Sequence, residues 1–407
     1  MQATLEQRAR LDRRTSRIPR TASFWLLATA LFTLTFAAGA PSPLYVVYQG
    51  RWGFSPATLT MIFAVYAFAL LLSLVTIGGI SDHVGRRPVL AAGLLLEAGS
   101  MLVFLSARSV AWLIAARIVQ GLATGALTGT FSAGLVDLQP PSRPQLAALL
   151  NSAVATVGLA AGALGTGLLV QYAPAPTTLV YALLAVAFVL LAGTVALLPE
   201  TAPRRPGALA SLRPRIAVPR PVRARFLAAT PVLVATWAMG GLYLSLGPSL
   251  AAGVLHLRSH VIGGLVVATL TGFGAAAAIV VRERHPQRVM VGGSLVLAAG
   301  TVVTLVGLAT LSTPLLFAGT AVAGLGFGSA FLGAFGSLAQ AAPAEQRADL
   351  FAAVFVVAYL AFSLPAIAAG LCVPALGLRD TAVGYGIGVL VLALGAVSLT
   401  VPRLARR

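Results

Sequence analysis

The sequence predicts an all-α integral membrane protein: twelve transmembrane helices in two six-helix bundles, with both termini in the cytoplasm. Three observations predict it. First, the 407 residues are 58% apolar and only 9% charged, with a mean hydropathy of +0.93. A soluble domain of this size has to face water and cannot use that much apolar side chain. Second, the apolar residues run in long blocks rather than alternating stripes, and a spanning helix needs about 20 such residues to cross ~30 Å of hydrocarbon. Third, the arginines crowd into alternate loops, which is the signature of a fixed orientation in a bilayer.

The blocks fall at 24–48, 56–80, 88–107, 110–136, 145–170, 177–198, 227–250, 259–281, 289–312, 314–338, 350–372 and 381–402. Spread over the chain they use about 34 residues each, loops included, which is the spacing of helices that cross ~30 Å and turn straight back. The first block follows a basic tail but is too long for a signal-peptide core, so it is read as a span. Both tails and every second loop hold Arg8, Arg10, Arg13, Arg14, Arg17 and Arg20; Arg86 and Arg87; Arg143; Arg204, Arg205, Arg213, Arg215, Arg220, Arg223 and Arg225; Arg282, Arg284 and Arg288; Arg347; and Arg403, Arg406 and Arg407. The other loops hold only Arg51, Arg108, Arg258 and Arg379, a ratio of 23 to 4 with Arg117 left inside a span. The arginine-rich side is the cytoplasmic one, and two cytoplasmic termini require an even number of spans. The expected location is the inner (cytoplasmic) membrane, crossed many times.

The net charge of +18 comes entirely from arginine, since the chain has no lysine. Arginines placed between apolar blocks anchor a membrane protein and do not point to nucleic acid. A Walker-type phosphate loop needs a lysine, so the chain is not an ATP-driven pump of that kind. The single cysteine, Cys372, forms neither an intrachain disulfide nor a thiolate metal site. His83, His256, His260 and His285 stand at block edges without metal-ligand spacing. No cofactor is expected.

The longest basic, proline-containing stretch lies mid-chain and divides the protein into a tail (1–22), a first bundle (23–200), a linker (201–225), a second bundle (226–402) and a short tail (403–407). The halves echo each other. Gly121, Leu122, Gly125, Leu135 and Pro140 recur 203 residues later as Gly324, Leu325, Gly328, Leu338 and Pro343. Parallel repeats of this kind are a transporter architecture, with the substrate near the midplane.

The loop between the second and third spans reads Gly78-Gly79-Ile80-Ser81-Asp82-His83-Val84-Gly85-Arg86-Arg87-Pro88. A tight turn between helices needs a flexible Gly85. Asp82 beside Arg86 and Arg87 can make charge-assisted bonds that hold neighbouring helix ends together, and breaking them biases two conformations. A plain positive-inside loop would explain the charges but not the Gly–Asp–Gly spacing. In the fourth span Arg117, Gln120, Thr124 and Thr128 share one face, beside a stripe of Gly121, Gly125 and Gly129 suited to close packing. An arginine at that depth costs about 2.5–3.5 kcal/mol on insertion scales. It is either a functional cation of a wet cavity or a structural one bonded to backbone carbonyls. Glu97 is the only acidic residue well inside a span. Counting 1.5 Å per residue places Glu97 and Arg117 within about a turn of each other in depth. Glu97 is a candidate proton carrier coupled to Arg117; the alternative is a structural carboxyl at a helix interface.

The loop resembles the signature of the major facilitator superfamily (Gly, three residues, Asp, Arg or Lys, any residue, Gly, Arg, Arg or Lys), with His83 standing where the family has a permanent cation. Arg117, Gln120 and Gly121 are similar to the family's second motif. Gly158 to Gly167 resembles its antiporter motif, with Ala163 where the family carries proline. Pro199-Glu200-Thr201 looks like the common ending of the sixth span. The resemblance covers roughly residues 22–402 and implies the major facilitator fold. It also implies a gating role for Gly78, Asp82, Gly85, Arg86 and Arg87, with Arg117, Gln120, Glu97 and Thr124 as transport or coupling candidates. Spans 1, 4, 7 and 10 would line a cavity, with Tyr45, Trp237 and Tyr243 as candidate contacts. The expected function is secondary active transport by alternating access: proton-coupled efflux of a drug-like or lipophilic compound by a monomer. The alternative is a proton-symport importer of a small metabolite. A membrane-embedded enzyme or sensor would need clustered catalytic groups or an appended soluble domain.

Overall fold

The computed structural model describes residues 18–404 apart from 144, 215 and 258. The arginines of the N-terminal tail up to Arg17, and Arg215, Arg258, Arg406 and Arg407, lie outside the described residues. Among the described residues there is no strand. Eleven helices are long and apolar enough to cross a membrane, and a twelfth apolar helix is shorter. In chain order they are α1 (Arg20–Trp52), α2 (Pro56–Ile77), α3 (Arg86–Leu105), α4 (Val110–Leu138), α5 (Leu146–Tyr172), α6 (Leu179–Val195), α7 (Arg220–Ser245), α8 (His260–Val281), α9 (Pro286–Ala309), α10 (Thr313–Ala341), α11 (Arg347–Leu376) and α12 (Leu378–Thr400). The 17 residues of α6 rise about 26 Å. Three successive i→i−3 hydrogen bonds then carry the chain on to Leu198, so the predicted block at 177–198 is filled.

Local chemistry sets where these helices bend and stop. In α1 the pieces Arg20–Gly39 and Pro41–Trp52 meet at Pro41, whose ring removes a donor and disturbs the preceding turn. Gly53, at φ 64°, ends α1 and donates to the Gln49 carbonyl. Pro231 lies inside α7, and Pro365 and Pro374 lie inside α11.

The described chain forms two compact units. One contains the residues up to Leu34, Ala69–Ala155 and Tyr181–Pro214; the other contains Thr35–Phe68, Thr156–Val180 and the residues after Pro214. In the first unit, α4 lies against α2 at its glycines. A Cβ on Gly125 would meet the Leu70 carbonyl and Ser73, and one on Gly129 would meet the Gly78 carbonyl at 2.9 Å. The Ser73 hydroxyl closes the contact by donating to the Leu122 carbonyl at 2.7 Å. In the second unit, α9 and α10 zip together through glycines seven residues apart on each helix. Gly293, Gly300 and Gly307 abut Ala330, Ala323 and Leu316, while Gly319, Gly326 and Gly333 abut Thr304, Leu297 and Met290. Apolar helices gain little from hydrophobicity when the surroundings are lipid, so backbone approach of this kind is what holds them. The glycines of α5 act likewise: Gly162 packs on the Phe36 backbone and Gly167 on His260.

Candidate functional site

The first unit carries two polar constellations. The outer one is built on the 78–88 loop. Ser81–Val84 makes a single helical turn and Gly85, at φ 103°, redirects the chain into α3. Only glycine adopts that backbone without strain. A Cβ there would also lie 2.7 Å from Glu200 Oε2, so the site needs glycine twice over. The room is used by Glu200 itself, whose two carboxylate oxygens accept from the backbone N–H groups of Arg86 (2.7 Å) and Arg87 (3.1 Å). These are orphan donors at the start of α3, where the helix dipole favours negative charge. Glu200 Oε1 accepts from Ala202 as well.

Arg86 is the hub. Its Nη1 donates to Asp82 Oδ1 at 2.5 Å and to the Ser81 hydroxyl at 2.8 Å, and its Nε donates to Asp137 Oδ2 at 3.3 Å. Asp137, at the end of α4, accepts from Thr201 at 2.9 Å, and its carbonyl accepts from Arg20 at 2.6 Å. The Arg87 guanidinium donates to the Ala196 carbonyl. His83 ties in the segment after α6. Its Nδ1–H donates to the Pro206 carbonyl at 3.2 Å, and its own carbonyl accepts from Arg205 N–H at 2.8 Å. The loop therefore joins the ends of α1, α3, α4 and α6. Asp82, Gly85, Arg86 and Arg87 meet in one network, while Gly78 is the point at which α4 approaches. Sequence reasoning missed Asp137 altogether. The available signal was that it is the only acidic residue of α4.

The inner constellation lies between α3 and α4. Glu97 and Gln120 are fully buried, Arg117 is 1% exposed and Thr124 is 6% exposed. Thr124 donates to Glu97 Oε1 at 2.7 Å, and Arg117 Nη1 donates to Gln120 Oε1 at 2.7 Å. Glu97 Oε2 is buried without a hydrogen-bond partner among the described residues. Depth counting brings Glu97 and Arg117 level; the antiparallel register instead sets Arg117 beside Phe104, whose ring centroid is 6.0 Å from its guanidinium carbon. Phe104 in turn stacks on Tyr181 at 4.6 Å. The seven residues from Glu97 to Phe104 rise about 10 Å. The long Arg117 side chain turns along α4 to Gln120 and remains within coulombic reach of the carboxyl.

In the second unit Tyr45 is buried. Tyr243 is buried too, with its hydroxyl hydrogen-bonded to Thr320 at 2.8 Å. Trp237 is half-buried and sits edge-on to Phe331, Tyr359 and Phe362 at centroid distances of 5.6, 4.9 and 5.7 Å. Among the described residues no group of histidine, cysteine and carboxylate side chains is arranged to hold a metal.

Comparison with known proteins fits this architecture. A family model described as Major Facilitator Superfamily matches residues 27–364. The tetracycline resistance protein, class C, of Escherichia coli is 38% identical over 112 residues, which is 27% of this chain and 27% of that protein. The aligned stretch thus spans about a quarter of the relative's length. A bacterial homolog of the human lysosomal transporter Spinster, solved inward-facing and unoccupied, superposes with a TM-score of 0.76 at 14% identity, covering 96% of this chain and 98% of that one. The same protein in its inward-facing occupied form gives 0.70 at 14% identity, over 95% and 98%. At that identity the likeness shows the fold.

Proposed function

The chain belongs to the major facilitator superfamily and is a multi-pass membrane transporter rather than an enzyme; from this premise we propose that it exports a drug-like or lipophilic compound in exchange for protons. Transport of a small molecule by alternating access is the family-level function. The finer reading rests on one observation: a carboxyl at Glu97, wholly buried, with one oxygen held by Thr124 and the other without a hydrogen-bond partner among the described residues, within coulombic reach of the buried Arg117. Intramembrane ionisable groups are costly and mark proton relays and substrate paths. A proton arriving at Oε2 changes the charge that Arg117 and Thr124 face. That gives the α3–α4 pair two electrostatic states, and a ligand or ion that distinguishes two states shifts their populations.

Outward direction is supported by the relative named for tetracycline resistance. In this reading both termini, and the loop around Asp82, face the cytoplasm, and the Arg86 hub latches one state of the cycle. The membrane is the cytoplasmic one and the working unit is a monomer. Lining candidates are Tyr45, Trp237 and Tyr243, while Gln120 and Thr124 hold the coupling pair in place.

The test uses proteoliposomes with an imposed pH difference and cells loaded with a fluorescent lipophilic cation. Expression should lower cellular dye, a protonophore should restore it, and Glu97→Gln should abolish dye-linked proton flux in vesicles. Accumulation that rises with expression would overturn export. Full proton-coupled flux in Glu97→Gln would overturn the carrier role.

A further inference from the structure

One group in the second unit lies outside the coupling chemistry and extends from two of the four spans from which the sequence drew its cavity contacts onto the eleventh span, outside them. On α11, Phe355, Tyr359 and Phe362 recur at helical spacing. With Trp237 of α7 and Phe331 and Phe335 of α10 they form a closed circuit. Centroid distances run 6.0 Å from Phe331 to Phe335, 6.3 Å to Phe355, 6.3 Å to Tyr359, 4.9 Å to Trp237 and 5.6 Å back to Phe331. Phe362 joins at 5.7 Å from Trp237.

Three properties separate this circuit from ordinary core. All six rings are half-buried, whereas the small residues interleaved with them, Ala330, Ala334, Val354 and Ala358, are buried. The rings therefore rest one side on the core and show another. That other side is not the lipid-facing one. Leu364 and Leu371 are 53% and 65% exposed, and at about 100° per residue Leu371 lies roughly 160° around α11 from Phe355, and Leu364 roughly 160° from Phe362 in the opposite sense. Within the circuit, moreover, no neighbouring pair is stacked. The interplanar angles are 40°, 49°, 30°, 65° and 71°; outside the circuit Phe351 stacks on Phe335 at 4.6 Å and Phe63 lies 4.7 Å from Phe362, so a further ring would join at Phe331, Phe355, Tyr359 and Trp237, in the offset or edge-on arrangements that aromatic pairs prefer. No charged residue occurs in α11 from Leu350 to Leu376 or in α7 from Phe226 to Ser245.

We propose that this circuit of rings is the solute-binding surface, and that it takes a flat aromatic compound, neutral or carrying a delocalised positive charge. Recognition is by ring faces and edges, with cation–π attraction at Trp237 serving a cationic solute, and without an ionic clamp. The proposal rests on the transport reading above for its purpose, but it is tested by binding alone.

Purified full-length protein in detergent is titrated with ethidium, a planar delocalised cation, and binding is read from dye fluorescence without any gradient. The doubly substituted Phe355→Leu/Tyr359→Leu keeps apolar bulk and removes two rings; it should bind about tenfold more weakly, or ~1.4 kcal/mol. The exchanged pair Phe355→Tyr/Tyr359→Phe keeps the rings and should bind within about twofold of wild type, which separates lost recognition from lost folding. Equal ethidium affinity in wild type and the leucine pair overturns the proposal, as does wild type that moves another solute yet does not bind ethidium. If the leucine pair loses binding while Glu97→Gln still exchanges protons fully, the ring surface stands and the coupling assignment falls.

Discussion

Arg86 is held by two carboxylates, and the structure distinguishes their contributions in a direction opposite to distance. Asp82 is nearer, at 2.5 Å, but its side chain is 62% exposed. Asp137 is farther, at 3.3 Å, but is only 33% exposed, while the Arg86 side chain they share is 13% exposed. At 3.3 Å Coulomb's law gives about 1.3 kcal/mol in water and about 5 kcal/mol at an effective dielectric of 20. Side-chain ordering and solvent screening remove most of that, and exposed pairs one helical turn apart retain only about 0.3–0.5 kcal/mol. Asp137 is already oriented by the Thr201 hydroxyl, so it loses less freedom on pairing. The expected coupling energies are about 1–2 kcal/mol for Arg86–Asp137 and about 0.5 kcal/mol or less for Arg86–Asp82. Double-mutant cycles built from Arg86→Gln, Asp137→Asn and Asp82→Asn, read by unfolding in mixed maltoside–dodecyl sulfate micelles, measure both. An Asp82 coupling equal to or larger than that of Asp137 would refute the claim that shielding outweighs distance in this network.

Three further outcomes follow from the contacts described. Arg117→Lys keeps the charge but loses the planar fork that reaches Gln120 alongside Phe104; initial transport rates in proteoliposomes should drop at least about tenfold, and a wild-type rate would contradict a geometric role for the guanidinium. Gly326→Val drives methyl groups into the Leu297 backbone and should cost about 1–3 kcal/mol or more, seen as a lower apparent melting temperature, whereas Gly292→Ala, with open space around it, should leave melting unchanged. His83→Ala removes the bond to Pro206 but leaves the backbone bond from Arg205; limited trypsin cleavage after Arg204 should speed up about threefold as local opening becomes easier, and an unchanged rate would show that the imidazole holds nothing.

The spans were legible because a bilayer demands about 20 apolar residues in a row, and a requirement that local is written in the sequence. The signature loop was legible for the same reason, its charges being neighbours in the chain. Glu200 was visible only as part of a family ending. What it caps lies 114 residues away, and nothing local says that the end of α6 meets the start of α3. Thr124 as the hydrogen-bond donor to Glu97 was not legible, because rise per residue fixes a height without fixing register; Arg117 lies farther along, within coulombic reach. The seven-residue glycine spacing of α9 and α10 was present in the sequence, but its meaning appears only when the two helices are seen to interlock. Of the ring circuit only Trp237 was picked out, because three of its six members belong to the eleventh span and ring-to-ring contacts across helices have no local trace in the sequence.

The internal repeat shows how far the two halves share a design. Gly125 and Gly328, 203 residues apart, both bring a helix onto a neighbour's backbone, against Leu70 and Gly274 respectively. The same offset carries Arg117 to Thr320, Gln120 to Ala323 and Thr124 to Phe327, and Thr320 is spent on the Tyr243 hydroxyl. The packing positions are therefore duplicated and the polar ones are not. An ionisable group inside a membrane has to be matched by partners that can rearrange with it, and only the first half keeps such a set. Where the first half has Thr124 donating to a carboxylate, the second has a phenylalanine whose ring lies over Gly274. The buried ionisable pair and the circuit of rings thus occupy separate halves of one repeated frame, so a substitution at Glu97 changes no residue of the ring circuit.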